Sequence, residues 1–152
     1  MSDDNGKSKS PILVSACLLG LRTRYDGEDS RREEIVELAE DHCLIPFCPE
    51  QLGGLSTPRI PAEIDKGDGA TVLQGKAKVV REDSVDVTEQ FLRGTRETAR
   101  LAELIGARKA VMKEGSPACG LTRIKRKGAD VAGSGVAAAL LKRKGVDIEG
   151  IE

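Results

Sequence analysis

The sequence has no tryptophan and few other aromatic residues, with one tyrosine and two phenylalanines among 152 residues. Its core must therefore be built from Leu, Ile, Val and Ala. The longest uncharged stretch, from Ser10 to Leu21, is far shorter than the ~20 apolar residues that cross a membrane. Lys and Arg number 24 and Asp and Glu 25, giving a net charge of -1, which argues against a generally basic nucleic-acid binder.

The N-terminus is acidic and no secretion signal follows it, so the sequence predicts a cytoplasmic protein. Residues 1–9 are predicted to be a disordered tail and residues 10–152 a single domain. A chain of this length can bury roughly 70% of the surface that it exposes when unfolded, so it can fold without disulfide or metal cross-links. Disulfides are rare in the cytoplasm. The four cysteines, Cys17, Cys43, Cys48 and Cys119, are therefore interpreted as buried thiols, nucleophiles or metal ligands.

Short apolar segments that favour strands alternate with longer segments of helical periodicity. The predicted strands are 11–16, 43–47, 109–112 and 146–148, and the predicted helices run from a capping box at Ser30–Glu33 to near His42, from Asp86 to Gly106, and from near Ser134 to Gly145. Alternation within 70–80 predicts a small hairpin. The sequence therefore predicts a three-layer, Rossmann-like α/β fold, with a mostly parallel sheet and a small β-hairpin insertion.

Three of the cysteines follow predicted strands. Cys17, Cys48 and Cys119 each lie at or just beyond the carboxyl end of a strand, with Gly or Pro nearby to form a tight turn. Because ligands of parallel sheets bind outside the carboxyl ends of the strands, the three thiols are expected to converge on one crevice. Cys43 instead begins a strand and is interpreted as a small core residue.

The spacing of the cysteines leaves several kinds of site open. There is no Cys-x-x-Cys pair of the kind that structural zinc sites use, and the single histidine, His42, is poorly placed to serve as a base for a thiol nucleophile. The remaining interpretations are inert buried thiols, a zinc ion with an external fourth ligand, or an iron–sulfur cluster. A cluster held by three thiolates has one iron free to bind substrate as a Lewis acid.

Several motifs resemble the thiouracil desulfurase family, and they occur in order between Ile12 and Ile148. They are Ser15-Ala16-Cys17-Leu18-Leu19-Gly20, Arg24-Tyr25-Asp26-Gly27, Cys48-Pro49-Glu50-Gln51-Leu52-Gly53-Gly54-Leu55, Thr57-Pro58-Arg59 and Gly115-Ser116-Pro117-Ala118-Cys119-Gly120. The resemblance implies a [4Fe-4S] cluster held by Cys17, Cys48 and Cys119. It also implies non-redox, hydrolytic removal of sulfur from thiouracil, giving uracil and hydrogen sulfide, with the substrate's sulfur on the open iron.

The resemblance suggests roles for residues near the cluster ligands. Glu50 is the candidate for activating water or moving protons, and Ser116 and Lys113 are candidates for binding the base or polarising its remaining carbonyl. Arg24 and Asp26 are close enough in sequence to Cys17 to line the crevice. The substrate is expected to be a small thiolated uracil, as the base, nucleoside or nucleotide, with no membrane and no obligate protein partner.

One segment departs from the family pattern. Where an aromatic, glycine-containing segment is expected after Gly120, the chain has the basic run Arg123 to Lys127. This run could contact the phosphate of a nucleotide or of tRNA, although such a run is more often a solvated loop than a binding site. Ser134, between two glycines at a predicted helix start, could likewise receive a phosphate. Desulfuration of 4-thiouridine in tRNA and a zinc-binding structural or regulatory module therefore stay as alternatives.

Overall fold

The computed structural model describes residues 8–152, so most of the predicted tail lies outside the described residues. Within them the strands are β1 (Ser10–Ser15), β2 (His42–Phe47), β3 (Ala62–Ile64), β4 (Val79–Arg81), β5 (Lys109–Lys113), β6 (Arg123–Arg126), β7 (Ala129–Ala132) and β8 (Asp147–Ile151). The α-helices are α1 (Glu33–Val36), α2 (Pro49–Leu52), α3 (Gly69–Leu73), α4 (Thr88–Ile105) and α5 (Val136–Arg143). No helix of this part of the chain is long and apolar enough to span a bilayer.

The central sheet has four strands in the order β2-β1-β5-β8, and every neighbouring pair is parallel. In β1, Ser15 lies opposite Phe47 of β2, and Val14 lies opposite Val111 of β5. Parallel strands joined through helices are the expected result of alternating strand and helix segments. The predicted fold class, with its mostly parallel sheet, is therefore confirmed.

Alternate side chains of the central strands enter two separate apolar clusters, one on each face of the sheet. Leu13 of β1 packs in the larger cluster, together with Phe91 of α4 and Leu141 of α5. Ile12 and Val14 instead belong to the smaller cluster around Ile35 of α1. This is the period of two expected of strands buried on both faces. The sheet is thus the middle of three layers.

The predicted hairpin within 70–80 is wrong, because the chain forms α3 there. Asp68 starts this helix: its carboxylate accepts hydrogen bonds from the backbone N–H groups of Ala70 and Thr71, and Thr71 completes a capping box. The short apolar segment fits a helical turn as well as a strand, and the cap decides between them. An antiparallel hairpin does occur later in the chain, where β6 pairs with β7.

Two further expectations fail at the edge of the domain. The Ser30 hydroxyl does not cap a helix but accepts a hydrogen bond from Arg24, and α1 begins after Arg32 without a side-chain cap. Cys43 is exposed rather than in the core, because β2 is an edge strand of the sheet. An apolar strand segment in the sequence does not reveal which strand is at the edge.

The short helix α2 is held against α4 by two glycines. A Cβ atom on Gly94 of α4 would lie 1.8 Å from the carbonyl oxygen of Pro49, and one on Gly53 would lie 1.9 Å from that of Gln90. Both glycines are therefore required by the close approach of two backbones. The contact fixes the segment that directly follows Cys48.

We expect Gly94→Ala to destabilise the protein although alanine is the better helix former. In an open helix the change would stabilise by about 1 kcal/mol. Here the backbones must separate, and the cost of such overpacking is about 1–3 kcal/mol. Urea denaturation gives the free energy of unfolding, with Arg96→Ala, at an exposed position of the same helix, as the control. A Gly94→Ala protein as stable as the control would contradict the close contact.

Candidate active site

A cavity of about 460 Å³ lies at the carboxyl edge of the central sheet and is lined by Cys17, Cys48 and Cys119. Cys17 lies on the short 3-10 helix that follows β1, and Cys48 lies between β2 and α2. Cys119 lies on the loop between β5 and β6. The three thiols thus converge on one cavity, as expected. They do so because β1 pairs directly with both β2 and β5.

The three thiols influence one another's protonation. Burial is the main cause that raises the pKa of Cys17, and a charge on Cys48 raises it further. Burial raises the pKa of Cys119 well above its usual value, the Ser15 hydroxyl acts in the opposite direction, and charges on Cys48 and Cys17 again raise it. Without a cation the pocket therefore favours neutral thiols.

Within residues 8–152, no three His, Cys, Asp or Glu side chains are grouped closely enough to hold one metal ion.

Glu50 lies in the first turn of α2, two residues after Cys48, and lines the same cavity. Its Oε1 accepts a hydrogen bond from Nε of Arg59 at 2.9 Å. The Glu50 side chain is 15% exposed and that of Arg59 is 8% exposed, so the pair is largely shielded from water. Burial also raises the pKa of the Cys48 thiol, while the Gln51 backbone N–H and the Arg59 guanidinium act in the opposite direction.

Arg59 is a site residue that the sequence analysis did not select. It belongs to the motif Thr57-Pro58-Arg59, but the sequence does not show which partners an arginine in a loop will find. The signal that could have found it is an arginine within a short motif that follows a candidate catalytic carboxylate, since buried carboxylates require a cationic or hydrogen-bonding partner.

Ser116 shapes the loop that carries Cys119. Its Oγ accepts hydrogen bonds from the backbone N–H groups of Ala118 at 3.0 Å and Cys119 at 2.9 Å. These contacts form a local turn of the kind that serine side chains favour. Ser116 lines the cavity, and its O–H can still donate a hydrogen bond.

Lys113, the last residue of β5, also lines the cavity. Its Nζ donates to the backbone carbonyl of Glu114 at 3.3 Å. Burial is the main cause that lowers the pKa of this ammonium group; the Cys17 thiolate acts in the opposite direction, and the cation of Arg123 lowers it further. Lys113 is therefore a half-buried cation beside a cysteine of the site.

Arg24, Asp26 and Ser134 occupy different positions relative to the cavity. Arg24 lines it and bonds both Ser30, at 3.0 Å, and Asp26, at 3.1 Å. Asp26 is outside the lining, where its carboxylate pairs with Arg24. Ser134 is also outside the lining, with its backbone N–H donating to the carboxylate of Asp68. The structure therefore groups Arg24 with the cysteines, but neither Asp26 nor Ser134, so the expectation that these two line the crevice is wrong.

The basic run forms β6 and the start of the turn of the β6–β7 hairpin, and its charges are largely paired. Arg123 forms ion pairs with Asp130 and Glu152, and Lys125 lies 2.7 Å from the Asp130 carboxylate. Arg126 donates to the backbone carbonyls of Ile64 and Gly67. Arg123 and Lys125 also line the cavity, so the hairpin forms part of its wall.

The buried carboxylate of Glu114 attaches this hairpin to the end of β5. It accepts hydrogen bonds from the backbone N–H groups of Leu121 at 2.9 Å, Thr122 at 3.0 Å and Arg123 at 3.3 Å. The Thr122 hydroxyl donates to it as well, at 2.9 Å. A charged acceptor with several donors is a strong local anchor. Glu114 therefore fixes the position of the hairpin beside the cavity.

These observations define a class of protein: an α/β domain with three cysteines around one cavity at the ends of its strands. The model of the 2-thiouracil desulfurase family matches residues 12–151, and the chain belongs to this family. The uncharacterized protein YbbK of Bacillus subtilis (strain 168) is 45% identical over 137 residues, which cover 88% of this chain and 91% of that protein.

A solved structure with a similar fold is that of the [4Fe-4S]-dependent thiouracil desulfidase TudS. It is 40% identical to this chain and superposes with a TM-score of 0.80. The superposition covers 93% of this chain and 91% of TudS. The parallel sheet described above is therefore the fold of this desulfidase as well.

We expect Glu114→Gln to loosen the hairpin. The amide keeps one acceptor oxygen but turns an NH₂ group toward backbone donors, and a buried donor without a partner costs about 1–3 kcal/mol. Hydrogen exchange should be faster at the amides of 121–123, and the free energy of unfolding should fall by a similar amount. Glu103→Gln, on the exposed side of α4, is the control. Unchanged exchange at these amides would show that Glu114 is not the anchor.

Proposed function

We propose that the protein removes sulfur from a thiolated uracil by means of a [4Fe-4S] cluster held by Cys17, Cys48 and Cys119. The observation that carries this proposal is the meeting of three thiols, from the ends of three strands, in one cavity of about 460 Å³. Membership of the 2-thiouracil desulfurase family and the likeness to TudS support it. The activity is assigned to a single domain of residues 10–152.

The three cysteines are the kind of donor that such a cluster uses, and because a cluster spreads its ligands over several irons, the thiols need not be grouped around a single metal ion. Thiolates are the usual ligands of iron–sulfur clusters, and iron brings the positive charge that three neighbouring thiolates require. When bound through three cysteines only, the cluster supplies an open iron that acts as a Lewis acid for the substrate's sulfur. Cys43 is exposed and outside the cavity lining, so it is not proposed as a fourth ligand.

The size and walls of the cavity suit a small substrate. Its volume, about 460 Å³, is within the range of roughly 300–1,000 Å³ of small-molecule sites. The wall contains both charged and apolar groups, as required to orient a planar polar base. Because Arg123 and Lys125 already bind Asp130, the basic hairpin gives no particular support to tRNA as the substrate.

The side chains around the thiols can move the protons of a hydrolysis. Glu50, which lines the cavity, is the proposed acceptor of a proton from a water molecule whose oxygen attacks the ring carbon that carries sulfur. Ser116 and Lys113 can donate hydrogen bonds to the base and hold it in place. The carbon–sulfur bond breaks with its electron pair on sulfur, and the two protons of water end on the sulfide. The balance is thiouracil plus water giving uracil plus hydrogen sulfide, with no oxidation or reduction.

The first test is the iron and acid-labile sulfide content of the protein after anaerobic purification. We expect nearly four of each per chain and a visible absorption band. Replacing Cys17, Cys48 or Cys119 by Ser should remove both the iron and the desulfidase activity, because each loses one ligand. Cys43→Ser is the matched control, since this thiol is exposed.

A colourless protein that contains zinc alone, even after anaerobic reconstitution, would contradict the proposed function. Loss of iron from Cys43→Ser would instead contradict the ligand assignment. The proposed function and the ligand assignment are both supported if wild type and Cys43→Ser contain iron and the other three variants do not.

The second test is Glu50→Gln, which preserves shape and removes the proton-accepting carboxylate. We expect the cluster to be retained and kcat for thiouracil to fall by roughly 10²- to 10⁴-fold, the usual contribution of a general base. Glu89→Gln on the surface of α4 serves as control and should leave kcat unchanged. Wild-type turnover by Glu50→Gln would eliminate Glu50 as the group that activates water.

A further inference from the structure

Within this proposed function, we infer that Arg59 is a positioning residue with two tasks. It fixes the Glu50 carboxylate at the wall of the cavity, and it presents a cationic N–H group to the sulfur of Cys48. Both tasks follow from the contacts of one guanidinium group. Arg59 thereby joins the site, beside the groups proposed to touch substrate or cluster.

All three nitrogens of the Arg59 guanidinium have partners. Nε donates to Glu50 Oε1 at 2.9 Å. Nη1 donates to Thr57 Oγ1 at 2.7 Å and to the Ser56 carbonyl at 3.1 Å. Nη2 donates to the Thr23 carbonyl at 2.9 Å and lies 4.0 Å from Cys48 Sγ. The group therefore joins the loop after β1, the start of α2 and its own loop.

This arrangement holds the guanidinium in one orientation. The backbone N–H of Arg59 also donates to the Tyr25 carbonyl at 2.8 Å, so main chain and side chain are both bound to the loop after β1. A planar fork with fixed donors sets the direction as well as the position of the carboxylate it binds. Lysine keeps the charge but cannot make these contacts at the same time.

The pair also separates two cavities. Glu50 and Arg59 line the main cavity, and they also line a second one of about 280 Å³ with Leu55, Ile60 and Val87. Their side chains therefore form part of the wall between the two spaces. A test variant should keep this wall filled, which favours methionine over alanine at position 59.

The contact with Cys48 affects the cluster rather than the substrate. Hydrogen bonds and positive charge near a ligand sulfur stabilise the reduced cluster and raise its reduction potential. Removing the guanidinium should therefore make the midpoint potential more negative. Replacing a residue that only supports the fold, at a distance from the cluster ligands, should leave this midpoint potential unchanged.

The experiment compares Arg59→Met, Arg59→Lys and wild type, all purified anaerobically and assayed for iron and acid-labile sulfide before the other measurements. We expect Arg59→Met to keep its iron, to show a more negative midpoint potential, and to lose about 10- to 100-fold in kcat with KM unchanged. Arg59→Lys should have a midpoint potential between those of Arg59→Met and wild type, because it keeps the positive charge. Its kcat should stay close to that of Arg59→Met, because lysine lacks the planar fork that binds Glu50. Arg100→Met removes a surface arginine paired with Glu97 and should match wild type in both.

The outcomes separate this inference from the proposed function. Wild type without iron and sulfide overturns the proposed function and this inference with it. A loaded wild type with Arg59→Met unchanged in potential and kcat overturns the positioning role alone. If both variants fold, as shown by circular dichroism, but lose their iron, Arg59 supports the structure of the site and the positioning role is again wrong.

Discussion

The parallel pairing of β1 with β2 on one side and β5 on the other is the constraint on which the site depends. It brings three carboxyl ends to one edge of the sheet, where Cys17, Cys48 and Cys119 follow. The register places Ser15 opposite Phe47, so β1 and β2 end at nearly the same level, just before Cys17 and Cys48. A shift of one residue would reverse the faces of a whole strand, so the buried apolar side chains fix this register.

The sheet places the cysteines, but hydrogen bonds to backbone groups fix the loops that carry them. Ser116 holds the turn before Cys119, Glu114 holds the hairpin behind it, and Arg59 holds the loop after β1 through the Thr23 carbonyl. Each of these side chains binds groups from chain segments that have no regular partner of their own. Buried polar side chains therefore give the cavity walls a definite position that apolar packing alone would not provide.

The central strands and the grouping of three cysteines could be predicted from sequence because they depend on local pattern and on a general rule for parallel sheets. The helix α3 could not, since its apolar segment is short and the cap at Asp68 decides the conformation. The exposure of Cys43 depends on strand order, which no local pattern contains. The role of Arg59 depends on contacts across 36 residues, to Thr23, and these exist only in the folded chain.

Two of the three cysteine segments carry a candidate catalytic group within one turn of the thiol. Glu50 is two residues after Cys48, and Ser116 is three residues before Cys119. The distance from each thiol to its neighbouring polar group is therefore limited by a short stretch of chain, whereas the distance between the two pairs is set by the strands. Because Arg59 bonds Glu50 and approaches Cys48, it makes one of these pairs rigid. The geometry of the proposed site then depends on few adjustable contacts, as preorganised catalysis requires.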